Sequence, residues 1–114
     1  MMATTEVPKV AHYRYTVTWS PEDEEYVAQV TEFPSLSWLA ADKDKALHGL
    51  EKLVNEVVED MINEGEQVPV PLVEREFSGN LRVRVSPAKH RQLVILAQEQ
   101  GVSLNRYLVE RLAG

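Results

Sequence analysis

The sequence contains no cysteine and no long apolar run. The absence of cysteine among its 114 residues excludes disulfide bonds and thiolate metal ligands. No uninterrupted apolar run approaches the roughly 20 residues that a membrane-spanning helix needs. Residues 1–10 lack a basic flank followed by an apolar core, which is the pattern of a secretory signal. We therefore expect a cytoplasmic protein with no membrane partner.

Charge is distributed unevenly along a chain whose composition is globular, with 44% hydrophobic and 26% charged residues. Residues 1–76 hold 6 Lys/Arg and 16 Asp/Glu, whereas residues 77–114 hold 6 Lys/Arg and 2 Asp/Glu, so the net charge of −6 is the sum of −10 and +4. A basic segment can bind phosphates, and an acidic one suits a cationic partner. The sequence therefore predicts two regions with different partners and a boundary near residue 77.

The first region has the pattern of three strands followed by a helix. Apolar residues alternate with polar ones in segments 12–19 and 26–31, and a shorter apolar segment covers residues 36–40. Apolar residues then recur at three- and four-residue steps from Ala46 to Ile62, which predicts a helix with Asp42 as its N-cap and Gly65 after its end. The region is therefore predicted to be α+β.

A proline-containing segment follows this helix. Alternate prolines in residues 68–71 remove backbone donors and exclude a helix there. We expect this segment to lead into one more edge strand around Leu72–Val73. The first region would then have the order β-β-β-α(-β).

The last 38 residues read as strand, helix, turn and helix. Residues 80–85 alternate polar and apolar side chains, and Ser86 followed by Pro87 is typical of a helix start. Gly101 ends that helix, and Ser103 is the predicted cap of the next one.

Such a short module is at or below the size that folds unaided, and a lone strand has two unpaired edges. Two copies solve both problems, because their strands can pair across a two-fold axis and their helices can cover the inner strand face. The paired ribbon then exposes Asn80, Arg82 and Arg84. A two-stranded ribbon fits the major groove of DNA, where arginine can bind guanine and asparagine can bind adenine. Ser103, Leu104 and Asn105 begin the second helix and can present backbone N–H groups to a phosphate.

These residues resemble the ribbon-helix-helix family of DNA-binding repressors. The resemblance rests on Asn-Leu-Arg-Val-Arg-Val-Ser-Pro at residues 80–87 and on Gly-Val-Ser-Leu-Asn-Arg-Tyr at residues 101–107. It implies that Asn80, Arg82 and Arg84 read bases in operator DNA. It also implies a phosphate clamp at Ser103, Leu104 and Asn105.

Residues 12–72 resemble the N-terminal domain of the HicB antitoxin family. The similar segments are residues 15–23, 26–30 and 32–37, the long helix and the Pro-x-Pro segment. The resemblance implies a degenerate RNase H-like domain over residues 1–76 that binds HicA, a small basic toxin that cleaves messenger RNA. It further implies a DNA-binding and dimerisation module over residues 77–114, which is ribbon-helix-helix in one branch of the family and helix-turn-helix in another.

The acidic residues of the first region allow an enzymatic alternative. A two-metal nuclease uses several carboxylates around a cleft, and the candidates are Glu22, Asp23, Glu24, Glu25 and Glu32. Four of these lie in one predicted turn, where neighbouring side chains point apart into solvent. We therefore predict no catalytic residue, and assign Glu22 and Asp23 as contacts to the toxin.

Metal and cofactor binding are not predicted. His12, His48 and His90 have no histidine or cysteine partner at ligand spacing, and the sequence has no glycine-rich phosphate loop. We therefore predict neither a metal nor a cofactor.

The sequence leaves three hypotheses about the function open. The leading hypothesis is an antitoxin that neutralises its toxin and represses its own operon as a homodimer, with a higher oligomer left open. One alternative is a stand-alone ribbon-helix-helix repressor whose N-terminal domain senses a ligand or oligomerises. The other is an RNase H-like nuclease.

Overall fold

The chain divides between Phe77 and Ser78 into two units, and the computed structural model describes residues 9–114. The elements of the first unit are strands β1 (Tyr15–Ser20), β2 (Glu25–Val30) and β3 (Ser37–Ala40) and helix α1 (Lys43–Asn63). The second unit contains helices α2 (Pro87–Glu99) and α3 (Leu104–Ala113). The predicted α+β class is confirmed.

The three predicted strands form one antiparallel sheet in the order β1-β2-β3. Tyr15 lies opposite Val30, and Tyr26 lies opposite Ala40. The first strand is shorter than predicted because residues Val10–His12 form a single 3₁₀ turn before it.

Helix α1 begins and ends where its sequence predicts. The Asp42 carboxylate accepts a hydrogen bond from the Lys45 N–H at 2.9 Å, which is the expected N-cap. Gly65 has a φ of +71°, and the next residue, Glu66, donates its N–H to the Met61 carbonyl at 2.8 Å. This left-handed glycine closes the helix in the way that a Schellman motif does.

One face of α1 packs on one face of the sheet. The side chains that form this core are Tyr13, Ala28, Val30, Phe33, Ala46, Leu50, Val54 and Val58. The indole of Trp38 lies directly against Gly49, so that a β-carbon at position 49 would collide with the ring. A glycine in the middle of this helix therefore lets β3 and α1 approach closely.

The prediction of a strand at Leu72–Val73 is wrong. Residues Leu72–Glu74 form a 3₁₀ turn. Pro69 and Pro71 have no N–H to contribute to a strand ladder, and the Leu72 N–H donates to the Glu32 carboxylate at 2.9 Å instead.

Two side chains attach this post-helix segment to the sheet. The second carboxylate oxygen of Glu32 accepts the Arg14 N–H at 2.9 Å, and the Tyr13 hydroxyl donates to the Pro69 carbonyl at 2.7 Å. Burial alone would raise the pKa of Glu32, but hydrogen bonds from the Leu72 and Arg14 N–H groups and the charge of Arg75 outweigh burial, so that its pKa is lowered. Glu32 is therefore a stable carboxylate anchor between distant parts of the chain.

Burial also changes the acidity of a tyrosine in this unit. It raises the pKa of Tyr15 to about 12, with a smaller contribution from the negative charge of Glu51. The Tyr15 hydroxyl therefore remains protonated and donates to the Val10 carbonyl at 3.0 Å.

The helices of the second unit also have their predicted caps. The Ser86 hydroxyl oxygen accepts the Lys89 N–H at 3.1 Å, and the Ser103 hydroxyl oxygen accepts the Arg106 N–H at 3.1 Å. Gly101, between the helices, has a φ of +71°. These features confirm the predicted order of a helix, a turn and a second helix in this unit.

The predicted strand at residues 80–85 is not formed in the single chain, where this segment has no regular secondary structure. A strand ladder needs a second strand, and the structure describes none in this unit, whose regular elements are both helices. The assignment of this unit as ribbon-helix-helix, and of the first as RNase H-like, stays a prediction.

Candidate nucleic-acid and partner-binding surfaces

The residues predicted to read DNA bases lie on the surface of the second unit. Asn80, Arg82 and Arg84 are all exposed. Among residues 9–114 no carboxylate lies within 4 Å of either guanidinium group. Both arginines are therefore available to an external anion or hydrogen-bond acceptor.

The apolar residues that alternate with them are exposed as well. Leu81 is 80% exposed, Val83 76% and Val85 47%, although a sheet packed against helices would bury them. A groove of about 650 Å³ lies beside this segment. Its apolar lining comes from Val83, Val85, Leu93, Leu104, Leu108 and Leu112.

The predicted phosphate clamp forms the first turn of α3. The Ser103 side chain caps the helix, Asn105 is exposed, and Leu104 is half-buried. Leu104 and Arg84 line the same groove, so the structure brings one residue of the clamp close to the arginine segment. The backbone N–H groups of this first turn lack intrahelical acceptors, as in every α-helix.

Two further cations of this unit, Lys89 and Arg91, were not among the predicted site residues. Both are exposed on α2. The signal in the sequence is the absence of any Asp or Glu between Glu76 and Glu99.

The acidic turn of the first unit joins β1 to β2. The hydroxyl of Ser20 donates to the Asp23 carboxylate at 2.8 Å, and Glu22 and Asp23 are exposed. Glu24, in the same turn, has a left-handed φ of +52°. The half-exposed indole of Trp19 lies beside the turn and packs edge-on against Tyr26, with ring centroids 5.1 Å apart.

The three histidines belong to three different helical elements. His12 Nδ1 is 3.2 Å from the Glu74 carboxylate, His48 Nδ1 is 2.7 Å from the Asp44 carbonyl, and His90 lines the groove of the second unit. Within residues 9–114, no group of three or more His, Asp or Glu side chains is placed to hold a metal ion. Over the same residues, the helices are too short or too polar to cross a membrane.

A family comparison bears on the second unit and the segment before it. The model of the HicB family matches residues 63–112. This part of the chain, 50 of its 114 residues, is similar to the HicB family. The part matched to HicB runs from the last residue of α1 into the C-terminal part of α3, and it includes all six residues predicted to bind DNA. It does not include the sheet, Glu22 or Asp23, so the toxin contacts stay a prediction.

The family model is the one comparison that gave a match. No curated protein and no solved structure matches the chain significantly.

Proposed function

We propose that this protein is a HicB-family antitoxin of a toxin–antitoxin system. The second unit forms a homodimer and binds the operator of its own genes. The first unit binds a small basic toxin of the HicA type and covers the surface with which that toxin binds RNA. The match of residues 63–112 to the HicB family supports a toxin–antitoxin role.

The observation that carries this proposal is the exposed segment of residues 80–85. Leu81 and Val83 are each more than three-quarters exposed, and burying such side chains is worth about 1.5–3 kcal/mol each. In the same unit only Ala97 and Tyr107 are fully buried hydrophobic residues. A second copy of the segment gives these side chains a core and leaves Asn80, Arg82 and Arg84 on the outer face of a ribbon, which suits the major groove.

Charge complementarity supports the toxin-binding role of the first unit. Residues 1–76 carry a net charge of −10, which attracts a basic protein and repels nucleic acid. Glu22 and Asp23 offer exposed carboxylates in the turn between β1 and β2. Since these carboxylates serve as partner contacts, we also propose that the protein has no catalytic activity of its own. Metal-dependent cleavage of RNA by the purified protein, abolished by Glu22→Ala, would contradict this.

A truncation separates the two roles. A fragment ending at residue 76 keeps every residue of the first unit's core and its Glu32 anchor. We expect this fragment to co-purify with the basic protein encoded by the neighbouring gene. It should lose all binding to the DNA upstream of its own gene, because it lacks all six proposed DNA contacts. Co-purification and electrophoretic mobility shift of full-length protein and fragment measure the two activities.

Charge reversal at the turn tests the proposed toxin contact. Glu22→Lys should weaken co-purification, whereas Glu56→Lys, on an exposed position of α1, serves as the matched control with the same change in net charge.

In the truncation experiment, a folded fragment that does not bind the toxin would contradict the division of roles. DNA binding without any toxin partner would favour the stand-alone repressor.

Removal of one arginine tests base reading. Arg82→Ala should weaken binding to the operator by about 1–3 kcal/mol and relax the preference at the contacted base. Fluorescence anisotropy with the upstream duplex and a scrambled duplex measures both effects, with Lys52→Ala on α1 as the control. An equal loss on the two duplexes would show that Arg82 contacts phosphate.

A further inference from the structure

The cations of the second unit fall into two groups. In α3, Arg106 pairs with Glu110 at 3.1 Å, and the Arg111 guanidinium lies 5.0 Å from the centre of the Tyr107 ring. The other four cations are Arg82, Arg84, Lys89 and Arg91, and within residues 9–114 none of them forms a salt bridge. Local structure therefore gives Arg106 an acidic partner and Arg111 an aromatic one. The Lys89 ammonium donates to the neutral Gln92 amide oxygen at 3.3 Å and has no acidic partner.

The sequence around these four cations contains no compensating acid. Residues 77–98 have no Asp or Glu, although exposed helices commonly carry opposite charges three or four residues apart. Lys89 also lies in the first turn of α2, where the helix dipole disfavours positive charge, and Arg91 follows in the next turn. The position of Lys89 therefore opposes the stability of the isolated helix, and a bound anion would offset this cost.

We propose that Lys89 and Arg91 contact the DNA backbone and extend the protein's footprint beyond the residues that read bases. This inference rests on the proposed DNA binding. Both side chains are long, exposed and cationic, and they stand on a helix rather than in the segment proposed to enter the groove. Their expected partners are therefore phosphates, which makes their contribution independent of DNA sequence and dependent on salt.

The two positions can be tested separately, because residues two apart on a helix point in different directions. The charge-removing variants are Lys89→Gln and Arg91→Gln. The charge-preserving controls are Lys89→Arg and Arg91→Lys, and Lys52→Gln on α1 controls for net charge. The N-cap of α2 survives all changes at position 89, because Ser86 accepts the backbone N–H of Lys89.

The measurement is the salt dependence of binding by the full-length dimer to a duplex of upstream DNA and to a scrambled duplex. Each neutralised phosphate adds about 0.9 to the slope of log K against log salt, so a variant that releases one phosphate per protomer should reduce the slope by about 1.8. We expect this reduction on both duplexes for each glutamine variant and the parental slope for the three controls.

Several outcomes would overturn the inference. An unchanged slope for either glutamine variant overturns the phosphate binding of that residue, and a reduction confined to the upstream duplex replaces phosphate binding with base reading. With single-stranded RNA as a third ligand, a slope that is reduced on the RNA and unchanged on both duplexes would assign the cations to RNA instead. Equal parental affinity for both duplexes would contradict operator recognition, while the slopes would still decide whether Lys89 and Arg91 bind phosphate.

Discussion

Glu32 is a single side chain that holds two distant backbone segments together. One carboxylate oxygen accepts the Arg14 N–H before β1, and the other accepts the Leu72 N–H in the 3₁₀ turn after α1. Hydrogen bonds to a charged group are stronger than neutral ones and contribute about 1.5–3 kcal/mol each. One charged side chain therefore links the start of β1 to the turn after α1.

We expect Glu32→Gln to destabilise the first unit by about 1–3 kcal/mol, because the amide can accept only one of the two N–H groups and leaves the other unsatisfied. Urea unfolding followed by circular dichroism measures this change. Glu56→Gln, which removes an exposed carboxylate from α1, is the matched control and should have little effect. Equal stability of the parent and Glu32→Gln would contradict the anchoring role.

The same residue predicts how stability changes with pH. Because the pKa of Glu32 is lowered in the folded chain from its ordinary value of 4.5, the carboxylate stabilises the fold fully above that value. The stabilisation is lost as the pH falls through the lowered pKa. The difference in unfolding free energy between the parent and Glu32→Gln should therefore be constant near neutral pH and shrink below about 4.5.

At the scale of elements, the contact between β3 and α1 depends on Gly49. Alanine favours a helix over glycine by about 0.8–1.0 kcal/mol, but a β-carbon here would collide with the Trp38 indole. Overpacking costs about 1–3 kcal/mol, so Gly49→Ala should lower the melting temperature. In a Trp38→Ala background the same change should raise it, and a calorimetric double-mutant cycle measures the coupling. A stabilising Gly49→Ala in the parent would contradict the close contact.

The elements also show which parts of the fold the sequence can predict. Local signals located α1, α2 and α3, because Asp42, Ser86 and Ser103 each cap a helix through contacts three residues away. The prediction of an edge strand at Leu72–Val73 was wrong. The contact that decides the conformation there is the hydrogen bond from the Leu72 N–H to Glu32, which joins residues 40 positions apart. No local pattern contains that information.

The residues proposed to read bases were also chosen from a local pattern. Alternation over residues 80–85 predicted that Asn80, Arg82 and Arg84 share one face of a strand. The three are exposed, but so are the apolar residues between them, and base reading stays a prediction. Lys89 and Arg91 were overlooked because they belong to no motif. What sets these two residues apart is that the sequence around them contains no Asp or Glu. A search for motifs does not detect such an absence.

At the scale of the whole molecule, the two units should differ in how their stability depends on concentration. The second unit buries few hydrophobic residues and leaves about three-quarters of Leu81, Val83 and Leu112 exposed. If a second copy covers them, dilution should weaken the helices of this unit by mass action. Amide hydrogen exchange should then quicken in α2 and α3 on dilution while α1, the internal control, keeps its protection. Exchange in α2 and α3 that does not change with concentration would contradict the homodimer.

The core of the first unit has a consequence for how such genes can change. The buried residues of its hydrophobic cluster all precede Gly65, and the turn that completes the unit ends at Glu74. A recombination event just after the codon for Phe77 would therefore carry a complete hydrophobic core to a new downstream sequence. Lineages can in this way exchange the unit proposed to bind DNA while the unit proposed to bind the toxin is inherited intact.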